Sequence, residues 1–348
     1  MTATMLSEQD IIERKAALVA AGGDAVDRDA RYQARRAGEY HYIRPFSATY
    51  QGVVDALENP DDRFMFGLFD VDALTRGHGP KELVMIVGFS HAGKTQVVNT
   101  ALINNRKKRV LFFSMDDPAE MILMKLACMT LDVSAEDLEN AIRQGDAQAK
   151  ADLKVAATGE FKNLIVVDDS LGLDAMTTAI EEATEYWGAP PECVIIDYLQ
   201  SMQGSATTSD DGGIKAKVAA VKRWVKDKPF PTLLVHQNTR SRGAPGEPIT
   251  ILSGAFGGEQ EATCIIGVRR KKDWADLDEW ARRKHEARVT LHVVKNKRPP
   301  GRLTPKDGID FYMSPDTGLI RPLRDADFDN PNATSSATDA VKRVSGGQ

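Results

Sequence analysis

The stretch that most constrains the fold is Val84-Met85-Ile86-Val87-Gly88-Phe89-Ser90-His91-Ala92-Gly93-Lys94-Thr95. Its apolar start reads as a buried strand, G-x-x-x-x-G-K-T follows, and Gln96-Val97-Val98-Asn99 continues as a helix. That is the context a P-loop requires. Gly88 and Gly93 permit a turn tight enough for successive backbone N–H groups to converge on one point. The positive end of the following helix adds to that field, so the concavity suits a polyphosphate. Gly88, Ser90, Ala92, Gly93, Lys94, Thr95 and Gln96 are the expected contacts to ATP. Lys94 would reach the β- and γ-phosphates, and the Thr95 hydroxyl would hold Mg²⁺. A chance glycine turn ahead of an ordinary helix is the competing reading, and the two flanks argue against it.

A chain of 348 residues has room for one large α/β domain with an appendage, or for two small domains. With 42% hydrophobic and 27% charged residues it has the composition of a soluble globular protein. The net charge of −5 gives no global positive field, so any nucleic-acid binding needs local basic patches. Cys128, Cys193 and Cys264 sit far apart in apolar surroundings, without metal-type spacing. They read as buried thiols of a reducing compartment. Glu8, Asp10 and Glu13 are unlike a signal peptide, and no apolar run approaches membrane length. A cytoplasmic protein with no membrane association is expected.

Along the chain, Ser7 to Ala37 is helix-prone, with an apolar stripe (Ile11, Ile12, Ala16, Leu18, Val19), a Gly22-Gly23 break and then a basic run. It is too short and polar to make its own core. Val53 to Leu57 suggests a short helix closed by Asn59-Pro60. Strands are expected at Arg109–Ser114, Leu164–Val167, Cys193–Asp197, Thr232–Val235, Cys264–Arg269 and Val289–Lys295. Helices are expected after Pro118, with a methionine stripe assigned to the core, across Ser134–Thr158, and at Leu173–Trp187 and Ile214–Lys226. Two Gly-rich loops, Gly204–Gly213 and Arg240–Gly258, and a charged segment from Lys271 to Arg288 separate the later elements. The expected divisions are a helical docking segment at 1–61, an ATPase domain at 62–324 and a disordered tail at 325–348.

Alternating apolar strands and helices imply a mostly parallel sheet covered on both faces, in which ligands gather at the carboxyl ends of the strands. The P-loop, Asp116, Asp197 and Gln237 all fall at such ends. Asp197 is placed to order Mg²⁺, and Asp116 to polarise an attacking water, unless it or Asp117 caps the helix behind Pro118. Gln237 suits a γ-phosphate sensor or is an ordinary polar strand end. Lys295-Asn296-Lys297-Arg298-Pro299-Pro300-Gly301 is a basic turn, able to supply charge in trans during hydrolysis or simply solvated. Lys215, Lys217, Lys222, Arg223, Arg240 and Arg242 are candidates for nucleic-acid phosphates, although a stacking platform is not evident.

Together these segments resemble the ATPase domain of DnaB-type replicative helicases, within the RecA-like fold, from about Phe66 to Pro322. The resemblance is carried by Gly67-Leu68-Phe69-Asp70-Val71-Asp72, by the P-loop and by Phe112-Phe113-Ser114-Met115-Asp116. Ile195-Ile196-Asp197-Tyr198-Leu199-Gln200 is its most specific element; His236-Gln237-Asn238-Thr239-Arg240, Gly258-Glu259-Gln260-Glu261-Ala262 and Lys295-Asn296-Lys297-Arg298 are similar to further family segments. The resemblance implies catalysis by Lys94, Asp116, Gln237 and Arg298, with Mg²⁺ at Thr95 and Asp197. It also implies Lys295, Lys297 and Arg298 acting on a neighbour's nucleotide. A homo-oligomer follows, commonly a hexameric ring, moving on single-stranded DNA held by Lys215, Arg240 and Arg242 and meeting replication or recombination proteins.

The sequence departs from the family pattern in three places. Asp116 replaces a glutamate, Lys297 rather than Arg298 stands in strict finger register, and only residues 1–61 occupy the place of a globular N-terminal domain. Arg298 is the expected finger because a guanidinium spans two phosphate oxygens. A RecA/RadA-like recombination ATPase and a KaiC-like regulatory ring ATPase are the competing functions.

Overall fold

The computed structural model describes residues 50–58, 63–202, 211–237, 247–250, 261–270, 282, 286–324 and 327. The helical stripe expected at 7–37, most of both Gly-rich loops including Arg240 and Arg242, most of the charged segment after Lys271 and nearly all of the tail lie outside them. The chain divides into two units, Met1–Asp61 and Asp62–Gln348. The described part of the first is helix α1, Tyr50–Glu58.

The second unit is built on β1 (Leu83–Gly88), β2 (Val110–Ser114), β3 (Leu164–Val167), β4 (Cys193–Asp197), β5 (Thr232–Gln237), β6 (Cys264–Arg269), β7 (Arg288–Asn296), β8 (Ile309–Met313) and β9 (Ile320–Pro322). Among the described residues these form one nine-stranded sheet in the order β3-β2-β4-β5-β1-β6-β7-β8-β9. From β3 to β6 all pairs are parallel; β7, β8 and β9 are added antiparallel. The two last strands were not legible in the sequence.

The parallel strands read as unbroken apolar runs because both faces are covered. Val84 and Ile86 of β1 enter one core, and Leu83, Met85 and Val87 the other. The first core is closed by α3 (Lys94–Asn104), α4 (Ala119–Leu131) and α5 (Ala135–Arg143), through Val97, Ala101, Ile122, Leu126 and Leu138. The second is closed by α7 (Leu173–Trp187) and α8 (Asp211–Val225), through Met176, Ile180, Val218, Val221 and Val225. Each such side chain, fully buried, stabilises by about 1.5–3 kcal/mol, so truncation in either layer loosens the strand ends that carry the site.

Local chemistry explains several boundaries. α2 (Phe69–Thr75) follows a carboxylate clamp: Asp72 accepts from the Phe66 and Gly67 N–H groups at 2.8 and 2.7 Å. The single helical region expected across Ser134–Thr158 is broken at Gly145, where Asp146 caps α6 (Ala147–Val155) by accepting from Gln148 and Ala149 N–H. A π-helical turn, Ala156–Glu160, then leads to β3. In α4 the stripe is only partly core: Met129 is buried but Met121 is 46% exposed, one residue off the inward face. All three cysteines are free and buried, as expected.

Candidate active site

Parallel pairing brings the expected residues to one edge. In register, Gly88 of β1 lies beside Gln237 of β5, and Ser114 of β2 beside Asp197 of β4. The two glycines of the loop serve different needs. A Cβ on Gly88 would stand 2.5 Å from the Val268 carbonyl oxygen of β6, so the residue is needed for close strand approach. Gly93 caps α3 at φ 100°, a left-handed conformation that costs an L side chain strain. His91, exposed at the tip, takes φ 58°.

Lys94 Nζ donates to the Phe89 carbonyl at 2.9 Å, which lays its ammonium across the mouth of the loop. Thr95 Oγ1 donates to Asp197 Oδ2 at 3.3 Å. Asp197 is 8% exposed, and burial pushes its carboxyl up to about 6; Thr95 and Lys94 oppose that rise, while Asp117 and Asp116 add to it. A buried carboxylate crowded by two others, with a threonine hydroxyl alongside, is short of positive charge. That deficit fits a divalent cation held by Thr95 and Asp197. Among the described residues no group of three or more His, Cys, Asp and Glu could hold a metal ion.

The neighbouring acids divide their work. Asp117 is held by Lys125 at 2.5 Å, whereas Asp116 is exposed. Neither caps α4. Asp168 accepts from the Ala119 N–H at 3.0 Å and does so instead. Next to Gln237, His236 is buried, and burial together with Lys94 holds its imidazole down at about 4. It is neutral at physiological pH.

The basic turn is not at this edge. Asn296 of antiparallel β7 pairs with Cys264, at the amino end of β6. Lys295, Lys297 and Arg298 therefore sit at the opposite end of the sheet from the P-loop, roughly 20 Å away at about 3.3 Å per strand residue. Arg298 is engaged within its own chain. Its Nη1 donates to the carbonyls of Thr75, Arg76 and Gly77 at 3.5, 3.1 and 3.0 Å, and its Nη2 is paired with Glu82. Glu82 also takes Arg63 and the Gly79 N–H. Sequence reading missed Glu82, a charge just ahead of a buried strand whose partners come from segments up to 216 residues away.

The basic helix is likewise divided. Lys215 and Arg223 of α8 are exposed, but Lys217 donates to the Met202 carbonyl at 2.8 Å. Burial lowers the Lys222 ammonium below the ordinary lysine range, and nearby Lys297 lowers it further. Lys222 thus belongs to the amino-end cluster, not to an outward basic face.

Residues 64–302, more than half of the chain, match the family described as DnaB-like helicase C terminal domain. The replicative DNA helicase DnaB of Haemophilus influenzae is 25% identical over 227 residues, covering 61% of this chain and 47% of that protein. A probable replicative DNA helicase of Trieres chinensis is 30% identical over 156 residues, covering 42% and 32%. The chain thus spans less than half the length of these curated relatives. Among solved structures, one described as an ATPase domain superposes with a TM-score of 0.66 at 17% identity, covering 81% of this chain and all of that one. A structure described as a DnaB-like replicative helicase and its interactions with primase gives 0.63 at 16% identity, covering 90% and 75%. The fold is RecA-like α/β. No helix of the described residues is long and apolar enough to cross a membrane.

Proposed function

Since the chain belongs to the DnaB-like helicase C-terminal domain family, we propose that it is an ATP-hydrolysing motor that moves on single-stranded DNA as a ring of identical copies. The observation that carries the reading is the shared edge: Thr95 bonded to Asp197, with Gln237 flush against the P-loop glycine. Backbone N–H groups of 88–96 and the Lys94 ammonium bind the phosphates. Thr95 and Asp197 would hold Mg²⁺, which when bound would neutralise charge on the phosphate oxygens. Asp116, exposed beside Asp197, orients the attacking water and accepts its proton, in place of a glutamate. Gln237 reports the γ-phosphate to the Gly-rich loop expected at Arg240–Gly258. Water exclusion falls to the neighbouring copy that covers the edge.

The basic turn supports the oligomer. At the far end of the sheet it cannot serve its own P-loop, so a charge donated to nucleotide goes to a neighbour's, and a head-to-tail contact of that kind closes into a ring. A hexamer is the number the family resemblance favours. Lys215, Arg240 and Arg242 are proposed DNA contacts, and a replication protein such as a primase is the expected partner class, as in the relative described with primase. The family match favours this reading over recombination and regulation.

Steady-state ATP hydrolysis with and without single-stranded DNA tests it, with Lys94→Ala as the blank. Strong stimulation, followed by unwinding of a forked duplex, is expected. Hydrolysis indifferent to DNA would remove the helicase reading.

A further inference from the structure

We propose that Arg298 is a positioning residue, clamping the basic turn to its own subunit so that Lys297 is the group presented to the neighbouring nucleotide. The proposal rests on the functional reading above and goes against the bidentate argument that selects Arg298 from sequence.

A guanidinium that works on another copy must direct its N–H groups off its own subunit. Those of Arg298 are directed inward, onto three consecutive carbonyls at the end of α2 and onto Glu82. Its side chain is 17% exposed and that of Glu82 20%. Reaching outward would strip the closest charge-assisted bond from a half-buried carboxylate, leaving it Arg63 at 3.5 Å, the Gly79 N–H at 3.1 Å and His78 Nδ1 at 3.6 Å.

The rest of the turn is fastened the same way. The Asn296 amide donates to the Leu74 carbonyl at 3.0 Å, and its oxygen accepts from the Arg298 N–H at 3.0 Å. Arg76 reaches back to the Pro299 carbonyl. Between these pinned neighbours, the Lys297 N–H bonds the Thr263 carbonyl at 2.9 Å. Its backbone is thereby fixed on both sides, and Lys222 approaches it closely enough for the two ammonium groups to repel. A lysine is a point charge on a flexible stem, without the fork that orients an arginine. Fixing the base of that stem limits where the charge can go, which is where hydrolytic rate is won or lost.

The test compares Lys297→Ala, Arg298→Gln, Glu82→Gln and the Arg298→Gln/Glu82→Gln double variant. It reads DNA-stimulated kcat, nucleotide Kd by titration of a fluorescent ATP analogue, and cooperative melting. Lys297→Ala is expected to lower kcat by about a thousandfold with Kd unchanged. Arg298→Gln and Glu82→Gln should each lower it about tenfold, and the double variant no further than the worse single, because the two act as one unit. Arg298→Lys, able to keep the Glu82 pair, should recover most of the rate, and it stands in if Arg298→Gln does not melt cooperatively. A loss in Arg298→Gln and Arg298→Lys as deep as in Lys297→Ala, with Glu82→Gln at the wild-type rate, would overturn the clamp and make Arg298 the finger. Wild-type hydrolysis no higher than the Lys94→Ala blank would overturn the functional reading first, and this proposal with it.

Discussion

Asp197 carries two opposed demands. In the proposed role of cation ligand it must be charged; as a buried group beside Asp116 and Asp117 it resists charge. Its folded pKa of about 6 lies above the ordinary 3.8, so the folded chain holds the proton more tightly and loses stability as pH rises between those values. Asp197→Asn should therefore raise metal-free stability at pH 8 by about 3 kcal/mol while cutting hydrolysis at least about a hundredfold. Denaturant melts in chelator, set against turnover in Mg²⁺, check both halves. His292 has the opposite sign. Burial first, then Arg269, hold it at about 4 against an ordinary 6.5, with Asp310 and Asp307 opposing. Between those values the unfolded chain binds the extra proton, so stability falls as pH drops from 6.5 towards 4. His292→Gln should flatten that acid loss by about 3 kcal/mol, visible as a shallower fall of melting temperature with pH. An unchanged slope would assign the acid sensitivity to His236, which is depressed in the same direction.

At the scale of elements, the contact between β1 and β6 sets how tightly the P-loop is strung. Gly88→Ala places a methyl group against the Val268 carbonyl, a rigid backbone atom that cannot swing aside. The expected cost is about 1–3 kcal/mol of stability, with nucleotide affinity falling in parallel; a normal melt and a normal Kd together would contradict the geometry. Strands buried on both faces were legible because their runs are continuous: Cys193–Asp197 and Cys264–Arg269 fall where the sequence puts them. β8 and β9 escaped because they are short, partly exposed strands of mixed polarity, Ile309-Asp310-Phe311-Tyr312-Met313 among them, and β9 closes the edge of the sheet. The helix break at Gly145-Asp146 hangs on one glycine in the left-handed region and one capping carboxylate, which helical periodicity alone does not mark. The strand ends that carry the motif residues were legible at β1, β2, β4 and β5. The partners of Arg298 were not, since long-range pairing through Glu82 leaves no local pattern.

Across the whole molecule, the P-loop and the basic turn lie at opposite ends of one rigid sheet, and that separation makes a strong prediction. Lys94→Ala and Lys297→Ala proteins, each inactive alone, should regain hydrolysis when mixed, because one supplies the loop and the other the cation. Roughly a quarter of contacts in a random equal mixture would be complete. No recovery after subunit exchange, with mixed assemblies demonstrated by mass, would place both groups in one copy. The same separation has a consequence for inheritance. In the proposed ring a copy carrying both substitutions spoils the centre on each of its sides, so hydrolysis falls as the square of the healthy fraction. In a cell expressing both alleles such a lesion would be dominant, and more so than one confined to either end of the sheet.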